Sequence, residues 1–554
     1  MGYHWAFLIL LLSISCSAST LVDKSFKQCM LTRVVGSNST SIERIVLNSS
    51  SSQYTQALDS LIQNPRWLNS SRKPFLIITP IHEPEILAAI ACSSKLGLQI
   101  RVRSGGHDYE GLSYLANTPF VMLDLVNVHS IAINLTEETA WVQAGTTLGE
   151  LYYRISQVSN VHGFPAGLCP GIGLGGHISG GGFGTMLRKY GIAADNVLDA
   201  HLIDKDGTVR DRKAMGEDLF WAIRGGSATS FGVILKWKIR LVKVPAIVTA
   251  FTIQRTLEEG ATKLIHRWQQ ITDKLNPDLF IRVVAQNSGA NSKTVTAIFN
   301  SFFLGGIDRL IPIVKASFPE LGLQAKDCIE MSWIQSVLYF GGHSKEDPPE
   351  VLLQRTKSNS FFKGKSDFVK VPIPENGLEG IWKMLLSEDT LALMIMEPFG
   401  GRMNEIPEPA IPFPHRKGNL YNIQYMVIWE EKGIEVSNKH VKWMRMLYEY
   451  MTPYVSKSPR AAYLNYRDLD LGTNKLDNIS YTEASVWGEK YFKGNFRRLA
   501  EIKTKSDPII IRIASYEEWT SQTKVQTNLL YLVSLIMESK GKAQQKAEGR
   551  RNEI

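Results

Sequence analysis

The sequence has few cysteines, no long apolar run and no block of like charge. Its 554 residues include five cysteines, and the formal net charge of +9 is spread along the chain. Because charge spread in this way does not form a basic face, we expect no nucleic-acid partner. The apolar runs 6–12 and 529–537 are shorter than the ~20 residues that cross a bilayer, so we expect no membrane span.

The common phosphate-binding motifs and obvious metal-ligand clusters are also missing. The glycine-rich stretch 171–184 lacks the Gly-Lys-Ser/Thr of a P-loop. The residues before it are typical of a loop, whereas a dinucleotide fingerprint needs a strand there. A hydrophobic content of 44% and this length allow a substantial core and more than one domain.

Two glycine-rich loops, 101–114 and 169–191, each carry one reactive side chain. The first reads Arg-Val-Arg-Ser-Gly-Gly-His-Asp-Tyr-Glu-Gly and contains His107. The second begins Cys-Pro-Gly-Ile-Gly-Leu-Gly-Gly-His-Ile-Ser-Gly-Gly-Gly-Phe-Gly and opens with Cys169. Glycine permits close approach to the backbone, and bare amides bind anions. We interpret the loops as a pocket for a large phosphorylated cofactor; glycine-rich surface loops are the alternative.

The two motifs resemble those of the plant berberine bridge enzyme-like oxidoreductases, within the vanillyl-alcohol oxidase superfamily. The resemblance extends over about 24–508 and implies FAD bound covalently at His107 and Cys169, and a Cys29–Cys92 disulfide. Cys328 is then expected to be a buried free thiol. The cofactor-binding residues that the resemblance implies are His107, Cys169, Arg103, Ser104, Gly105, Gly106, Gly175, Gly176, His177, Gly181, Gly182, Phe183 and Val233.

Candidate catalytic residues come from the same resemblance. It implies Tyr466 as the base, assisted by Tyr463 or Tyr109; packing in an aromatic core is the alternative for these tyrosines. Asn422 and Gln424 should share one face of a strand over the substrate, since successive strand residues face opposite sides. Many relatives carry a charged residue where Asn422 stands, and some carry tyrosine in place of Phe183. The site is therefore expected to be less charged and more aromatic.

Two further positions concern the cofactor. His177 is expected near the pyrimidine end of the flavin, where a positive charge or hydrogen bond stabilises reduced flavin; a structural histidine is the competing interpretation. Ile172 stands three residues after Cys169. In the family, this position guards access of oxygen, and a residue bulkier than valine tends to accompany dehydrogenases.

The resemblance implies a secreted flavin oxidoreductase that acts on a small molecule. Its substrate would be an alcohol, either an oligosaccharide hemiacetal or an aromatic allylic alcohol, with oxygen or another electron acceptor. An oxidative cyclase of specialised metabolism is the second hypothesis, and the uncharged Asn422 argues mildly against a carboxylate base of alkaloid chemistry. An inactive FAD-binding protein is the third.

The predicted fold is α+β, with a two-part flavin domain and a substrate domain whose antiparallel sheet is covered by helices on one face. We expect a signal peptide at 1–18, a flavin domain at 19–244, a substrate domain at 245–458, a C-terminal module at 459–515 that returns to the flavin domain, and an atypical tail at 516–554. Predicted strands are 75–79, 98–102, 120–125, 140–144, 196–203, 208–210, 250–254, 279–285, 294–303, 391–397 and 419–429. Predicted helices are 82–97, 147–156, 307–317 and 436–450, with another beginning at 381.

The N-terminus and the sequons indicate secretion. A short apolar run followed by small residues fits a cleaved signal peptide, with a buried N-terminal helix as the alternative. We therefore expect the extracellular space, the cell wall, or the vacuole or endomembrane lumen, and a monomer. Glycosylation sequons occur at Asn38, Asn48, Asn69, Asn134 and Asn478.

Overall fold

The computed structural model describes residues 21–289, 291–473 and 481–506. The predicted signal peptide, the atypical tail and Asn478 lie outside these residues. Within them, the α+β class is confirmed, because three larger sheets and one small one are surrounded by helices.

The first sheet leads into the loop that carries His107. It has the order β1-β2-β4-β3, with β1 antiparallel to β2 and the other pairs parallel. Its strands are β1 (Val46–Asn48), β2 (Leu76–Ile78), β3 (Gln99–Arg103) and β4 (Phe120–Asp124). All residues of β4 are buried, as expected for a parallel strand covered on both faces. Because β3 ends at Arg103, the 101–114 loop emerges at the carboxyl end of this strand.

The second sheet is antiparallel and supports the second glycine-rich loop. Its order is β5-β6-β10-β8-β9. The strands are β5 (Ile131–Asn134), β6 (Thr139–Gln143), β8 (Val197–Ile203), β9 (Val209–Arg210) and β10 (Val233–Arg240), and a separate small pair is formed by β7 (His162–Gly163) and β11 (Val242–Lys243). The predicted hairpin over 196–210 is confirmed by the pairing of β8 with β9.

The third sheet has seven antiparallel strands in the order β15-β12-β14-β13-β17-β18-β16. They are β12 (Val248–Thr256), β13 (Leu279–Gln286), β14 (Thr296–Phe303), β15 (Cys328–Met331), β16 (Phe361–Val369), β17 (Leu391–Pro398) and β18 (Tyr421–Trp429). The two edge strands, β15 and β16, were not predicted. On β18, Tyr421, Ile423 and Tyr425 belong to the core beneath the helices, so Asn422 and Gln424 point to the opposite face.

Helices cover the sheets. They are α1 (21–33), α2 (Ser39–Ile45), α3 (Ser52–Asp59), α4 (Glu83–Lys95), α5 (Leu148–Ser156), α6 (Leu174–Ser179), α7 (Leu187–Tyr190), α8 (Arg212–Ile223), α9 (Ala261–Ile271), α10 (Ile307–Ser317), α11 (Trp333–Phe340), α12 (Glu375–Leu386), α13 (Arg402–Glu405), α14 (Ile434–Tyr450), α15 (Tyr481–Phe492) and α16 (Asn495–Ser506). Short 3-10 helices occur at Pro65–Trp67, Leu125–Asn127, Ala193–Asn196, Ala228–Ser230, Thr272–Lys274, Pro319–Leu321, Ala325–Asp327, Pro349–Leu353, Glu408–Ala410 and Leu469–Leu471. The helix expected to begin at 381 instead begins at Glu375, and none of the helices in the described ranges has the length and apolar character to cross a bilayer.

Helix α5 shows how sequence sets an element beside the site. Thr147 caps it by accepting a hydrogen bond from the backbone of Glu150, whose side chain accepts one from the backbone of Thr147 in return. The apolar residues at positions 148, 151, 152 and 155 form one buried stripe.

Near the other end of the chain, α16 packs on α8, and Arg498 pairs with Asp218 at 2.8 Å. The last described helix thus returns to the part of the molecule that carries the glycine-rich loops.

Cys29 in α1 forms a disulfide with Cys92 in α4, as the resemblance implied, and both residues are buried in the core. Cys328 is free but partly exposed, so the expectation of a buried thiol is wrong.

Among the sequons, Asn38, Asn69 and Asn134 are exposed. Asn48 is half-buried, and its amide donates to Asp23 at 2.8 Å.

Replacing Cys29 and Cys92 together by serine should lower the free energy of unfolding by about 4 kcal/mol. The bridge joins residues 63 apart, and its loss returns conformational freedom to the unfolded chain. Urea unfolding followed by tryptophan fluorescence measures the change. Cys328→Ser is the matched control and should leave the midpoint in place; equal midpoints for the double variant and the wild type would contradict the prediction.

Candidate active site

A cavity of about 370 Å³ lies between the two glycine-rich loops and the seven-stranded sheet. It is lined by residues from both loops, from β13, β17 and β18, and from the segment after residue 460. The predicted site residues in its lining are Ser104, Gly105, Gly106, His107, Tyr109, Cys169, Ile172, Gly175, Gly176, His177, Phe183, Gln424, Tyr463 and Tyr466. The structure therefore gathers most of the sequence-predicted residues around one space.

Five predicted residues are not part of that lining, namely Arg103, Gly181, Gly182, Val233 and Asn422. Arg103 is fully buried, and its guanidinium pairs at 2.6 Å with Asp124 on the neighbouring strand β4. On β10 the next residue, Ile234, lines the cavity in place of Val233. The backbone amide of Gly182 donates to the hydroxyl of Tyr463 at 2.9 Å. Gly182 therefore contacts a residue of the cavity lining without lining the cavity itself.

Asn422 lies on the expected face of β18 but outside the cavity. It is fully buried, and its Nδ2 donates to the carbonyl oxygen of Asp367 on the neighbouring strand β16 at 2.9 Å. Gln424, two residues along, does line the cavity, and its amide donates to the hydroxyl of Tyr109. The strand period predicted the shared face, but only one of the two side chains reaches the cavity.

The two glycine-rich loops meet backbone to backbone. A Cβ atom on Gly105 would lie 2.3 Å from the amide nitrogen of Gly173, and one on Gly173 would lie 2.1 Å from the Oγ of Ser104. Both distances are far below van der Waals contact, so side chains are excluded at this junction. The close approach brings the His107 loop and the Cys169 loop into a single wall.

His107 and Cys169 are both available to a ligand in the cavity. The Nε2 atom of His107 is buried and accepts no hydrogen bond from the described part of the chain. Burial lowers the pKa of His107 to about 4, with a small opposing effect from the backbone of Gly171, so the imidazole is neutral near pH 7. Cys169 is a free, exposed cysteine whose residue lines the cavity. A neutral imidazole and a free thiol fit a cofactor that is attached to the protein at two points.

One ring nitrogen of His177 is hydrogen-bonded to the backbone. Its Nε2 accepts a hydrogen bond from the backbone amide of Gly167 at 3.0 Å. Burial, and then the proximity of His107, lower the pKa of His177 to about 4. The imidazole is therefore neutral near pH 7, and it offers the cavity a polar edge without a positive charge.

Four aromatic rings meet at the cavity, those of Tyr109 and Phe183 from the two loops and those of Tyr463 and Tyr466 from the segment after residue 460. The rings of Tyr109 and Tyr466 are stacked with centroids 5.8 Å apart, and Tyr463 meets Tyr466 edge-on at 4.9 Å. Phe183 lies 4.7 Å from the ring of Tyr463. Burial raises the pKa of all three tyrosines above the ordinary value, so each phenol keeps its proton at neutral pH.

The sheet adds two charged side chains that the sequence pattern did not predict. Glu397, near the end of β17, accepts a hydrogen bond from the hydroxyl of Tyr466 at 3.3 Å. Burial raises the pKa of Glu397 to about 7, although Arg282 and Tyr466 oppose the rise. Arg282 on β13 also lines the cavity, and its Nε donates to the side chain of Asn300 at 3.0 Å. A carboxylate at the end of the predicted apolar strand 391–397 was the signal that could have identified Glu397.

A buried ion cluster holds two of the tyrosine-bearing segments together. Lys363 on β16 pairs with Glu110, which follows Tyr109 in the chain, and with Asp468 at 2.8 Å. The side chains of Lys363, Glu110 and Asp468 are almost fully buried. Burial alone would lower the pKa of Lys363, but its carboxylate partners outweigh burial and raise it. Lys363 is therefore a charged link between the first loop and the segment that carries Tyr466.

Replacing Lys363 by methionine should lower the free energy of unfolding by about 3–5 kcal/mol, since it leaves the buried Glu110 without the cation that pairs with it, whereas Asp468 keeps Lys365 as a partner. Urea unfolding of the purified variant measures the loss. The matched control is Lys439→Met, because Lys439 pairs with Asp389 at the exposed surface and its loss should cost no more than about 1 kcal/mol. Similar losses in the two variants would show that the buried cluster contributes no more than a surface pair.

Comparisons with known proteins place this site in a family. Residues 74–212 match the model of the FAD binding domain, and residues 462–509 match the model described as berberine and berberine like. Berberine bridge enzyme-like 22 of Arabidopsis thaliana is 53% identical over 508 residues, which is 90% of this chain and 96% of the relative. Tetrahydroberberine oxidase of Berberis wilsoniae is 50% identical, over 90% of this chain and 94% of the relative. Monolignol oxidoreductase AtBBE-like 13 of Arabidopsis thaliana is 49% identical, over 91% and 95%.

Solved structures of similar proteins superpose on this chain. Berberine bridge enzyme-like 28 from Arabidopsis thaliana superposes with a TM-score of 0.82 at 45% identity, covering 86% of this chain and 98% of the other. Phl p 4, a grass pollen allergen with glucose dehydrogenase activity, superposes with a TM-score of 0.83 at 42% identity, covering 90% and 99%. An isoleucine-to-valine variant of Phl p 4 is described as a glucose oxidase; it superposes with a TM-score of 0.83 at 42% identity, covering 90% and 100%.

Proposed function

The chain belongs to the berberine bridge enzyme-like family of FAD-dependent oxidoreductases, and from that premise we propose that it binds its flavin covalently at His107 and Cys169 and oxidises an alcohol. When bound, FAD supplies the ring that accepts a hydride, so the protein has to provide position, a proton acceptor and electrostatics.

The cavity suits the cofactor on its loop side. The amides and small residues of the two loops give an anionic group close access to the backbone. His107 offers a neutral nitrogen, and Cys169 offers a free thiol, on one continuous wall. Side chains at Gly105 or Gly173 would close the junction between the loops, which explains why glycine occupies both positions. The glycine-rich part of the wall thus holds the cofactor, and the part formed by the sheet and the tyrosines is left for the substrate.

One observation supports an alcohol as the substrate. Tyr466 lines the cavity, and its hydroxyl donates a hydrogen bond to the carboxyl group of Glu397 at 3.3 Å. Oxidation of an alcohol requires removal of its hydroxyl proton, and a hydroxyl next to a carboxylate is suited to that task. Tyr109 and Tyr463 flank Tyr466 and limit how a substrate enters. We assign Tyr466 to contact with the substrate hydroxyl, and Tyr109 and Gln424 to its orientation.

Names of relatives support this class of substrate. A monolignol is an aromatic allylic alcohol, and glucose is a hemiacetal; both occur in the names of similar proteins. The relative named tetrahydroberberine oxidase favours a second candidate, oxidation of a cyclic amine. The uncharged Asn422 argued against a carboxylate base, but Glu397 supplies a carboxyl group to the cavity and removes that argument.

The chain's compartment and organisation belong to the same proposal. A disulfide between Cys29 and Cys92 fits an oxidising compartment, and we propose that the protein is secreted as a monomer. We also propose the division into a flavin domain at 19–244, a substrate domain at 245–458 and a C-terminal module at 459–515. In support, the third sheet lies wholly between residues 248 and 429, and α16 packs against α8.

The proposed covalent attachment predicts that yellow colour stays with the protein after acid precipitation. His107→Ala and Cys169→Ala should each still give a yellow pellet, because one bond remains, whereas the double variant should release its flavin into the supernatant. Absorbance spectra of both fractions make the measurement. Cys328→Ser is the control, since this free cysteine lies outside the cavity. Colour in the wild-type supernatant would show that neither bond forms.

Ile172→Val should speed the reaction of the reduced flavin with oxygen by about tenfold, which corresponds to a barrier lower by 1.4 kcal/mol. Ile172 lines the cavity three residues after Cys169, and removing one methyl group opens space beside the proposed flavin position. The isoleucine-to-valine variant of Phl p 4 that is described as an oxidase supports this direction.

The measurement is stopped-flow reoxidation of flavin that has been reduced without oxygen. Reduction by the substrate, followed separately, is the control and should change little. Equal reoxidation rates in the variant and the wild type would remove Ile172 as the residue that limits oxygen.

A further inference from the structure

We propose that Glu397 is the final acceptor of the substrate's hydroxyl proton, which reaches it through the hydroxyl of Tyr466. This inference rests on the proposed function, and it adds a residue of β17 to the two loops and the tyrosine segment that the sequence motifs identify. The hydrogen bond between the two side chains, the burial of Glu397 and the position of Arg282 on the same sheet face support this role.

The hydrogen bond fixes the direction of transfer. The Tyr466 hydroxyl donates to the Oε2 of Glu397, so the phenolic proton already points at the carboxyl group. Because burial raises the pKa of Tyr466 well above its usual value, the phenol cannot take up a proton unless it gives one away. Glu397 lies within hydrogen-bond reach and is ionised above about pH 7, so it can receive that proton.

The bonds and charges balance. The hydroxyl bond of the substrate breaks as a new O–H bond forms on Tyr466. The former phenolic proton of Tyr466 moves to Glu397, which changes from a carboxylate to a neutral carboxylic acid. The carbinol C–H bond would break with its electron pair, which FAD, when bound, would accept as hydride, and the substrate would become a carbonyl compound.

Other polar groups in the cavity are less suited to accept the proton. The amide of Gln424 is not basic, and it donates to Tyr109. The Nε2 of His177 already accepts a hydrogen bond from Gly167. His107 is the proposed point of flavin attachment, and burial lowers its pKa to about 4. Asp108 also lines the cavity, but its Oδ1 accepts hydrogen bonds from the backbone amides of Glu110 and Leu112. The hydroxyl of Tyr466 donates to Glu397, which makes Glu397 the acceptor within reach.

Arg282 provides a countercharge across the sheet. Val283 pairs with Met396, so the antiparallel register places Arg282 at the position opposite Glu397. The positive charge of Arg282 lowers the pKa of Glu397 and opposes the effect of burial. The ionisable groups that face Glu397 from the surrounding segments are Arg282, Tyr109, Cys169, Tyr463 and Tyr466.

The test is anaerobic stopped-flow reduction of the holoenzyme by cinnamyl alcohol and by glucose, from about two pH units below pH 7 to two above it. In the wild type, the reduction rate should fall as the pH drops through about 7, because Glu397 becomes protonated. Glu397→Gln should slow reduction by about 10²–10⁴-fold and abolish this pH dependence. Glu397→Asp should restore part of the rate together with the pH dependence.

Glu388→Gln is the matched control. Glu388 is a second buried carboxyl group, and burial, followed by the effect of Asp389, raises its pKa to about 7. It pairs with His440 at 2.9 Å and does not line the cavity. If loss of any buried carboxyl group were enough to impair the enzyme, this control would be impaired as well; we expect it to keep the wild-type rate and pH dependence.

A second readout follows the proton rather than the rate. Infrared difference spectra recorded upon reduction above pH 7 should show a new carboxylic acid band in the wild type, because Glu397 becomes protonated. The band should be absent from Glu397→Gln, including after slow reduction is complete, and present in the Glu388→Gln control. A merely structural role for Glu397 would not produce this difference.

The outcomes separate this inference from the proposed function. A wild-type flavin that neither alcohol reduces at any pH would overturn the proposed function, and the inference with it. A reactive wild type together with a Glu397→Gln variant that is equally fast, keeps the pH dependence or keeps the infrared band would overturn the inference alone.

Discussion

A lysine buried between two distant segments sets the geometry of the substrate side of the cavity. Moving a charge out of water is costly unless partners surround it, so Lys363 can be buried only where Glu110 and Asp468 reach it together. That condition ties the first glycine-rich loop, strand β16 and the segment after residue 460 to one point. Tyr109 and Tyr466 lie within two residues of the two carboxylates, and their rings stack at 5.8 Å. The ion cluster therefore fixes the tyrosines indirectly, through the backbone that carries them.

Burial also shifts the pKa values of the ionisable groups that line the cavity. It keeps the tyrosines protonated and the imidazoles of His107 and His177 neutral, because each of these groups is less stable in its charged form when water is removed. The same effect brings the pKa of Glu397 to about 7, near the pH at which an enzyme can use both of its protonation states. One physical cause thus leaves the tyrosines and the two imidazoles uncharged and brings the pKa of Glu397 close to neutral pH.

Regular patterns made much of the fold predictable from the sequence. Strands β13, β14, β17 and β18 follow apolar alternation, and both loops were identified by their motifs. Strand β16 was missed because Lys363, Lys365 and Asp367 interrupt its apolar pattern; their partners lie up to 253 residues away in the chain. The face of Asn422 was predictable from the two-residue period of a strand. Its distance from the cavity was not, because that depends on the carbonyl of Asp367 on a strand that the pattern did not reveal.

The two walls of the cavity differ in how freely their sequences can change. On the loop wall, a side chain at Gly105 or Gly173 collides with backbone or with Ser104, so the sequence there is constrained by contact. On the sheet wall, Arg282, Glu397 and Gln424 project from three neighbouring strands, β13, β17 and β18, whose backbone hydrogen bonds do not depend on side-chain identity. Side chains on the sheet wall can therefore change without disturbing the backbone pairing of the strands, although Gln424 also contacts Tyr109 of the first loop. This separation explains why motifs identify the cofactor, whereas the chemistry offered to the substrate has to be derived from the faces of the strands.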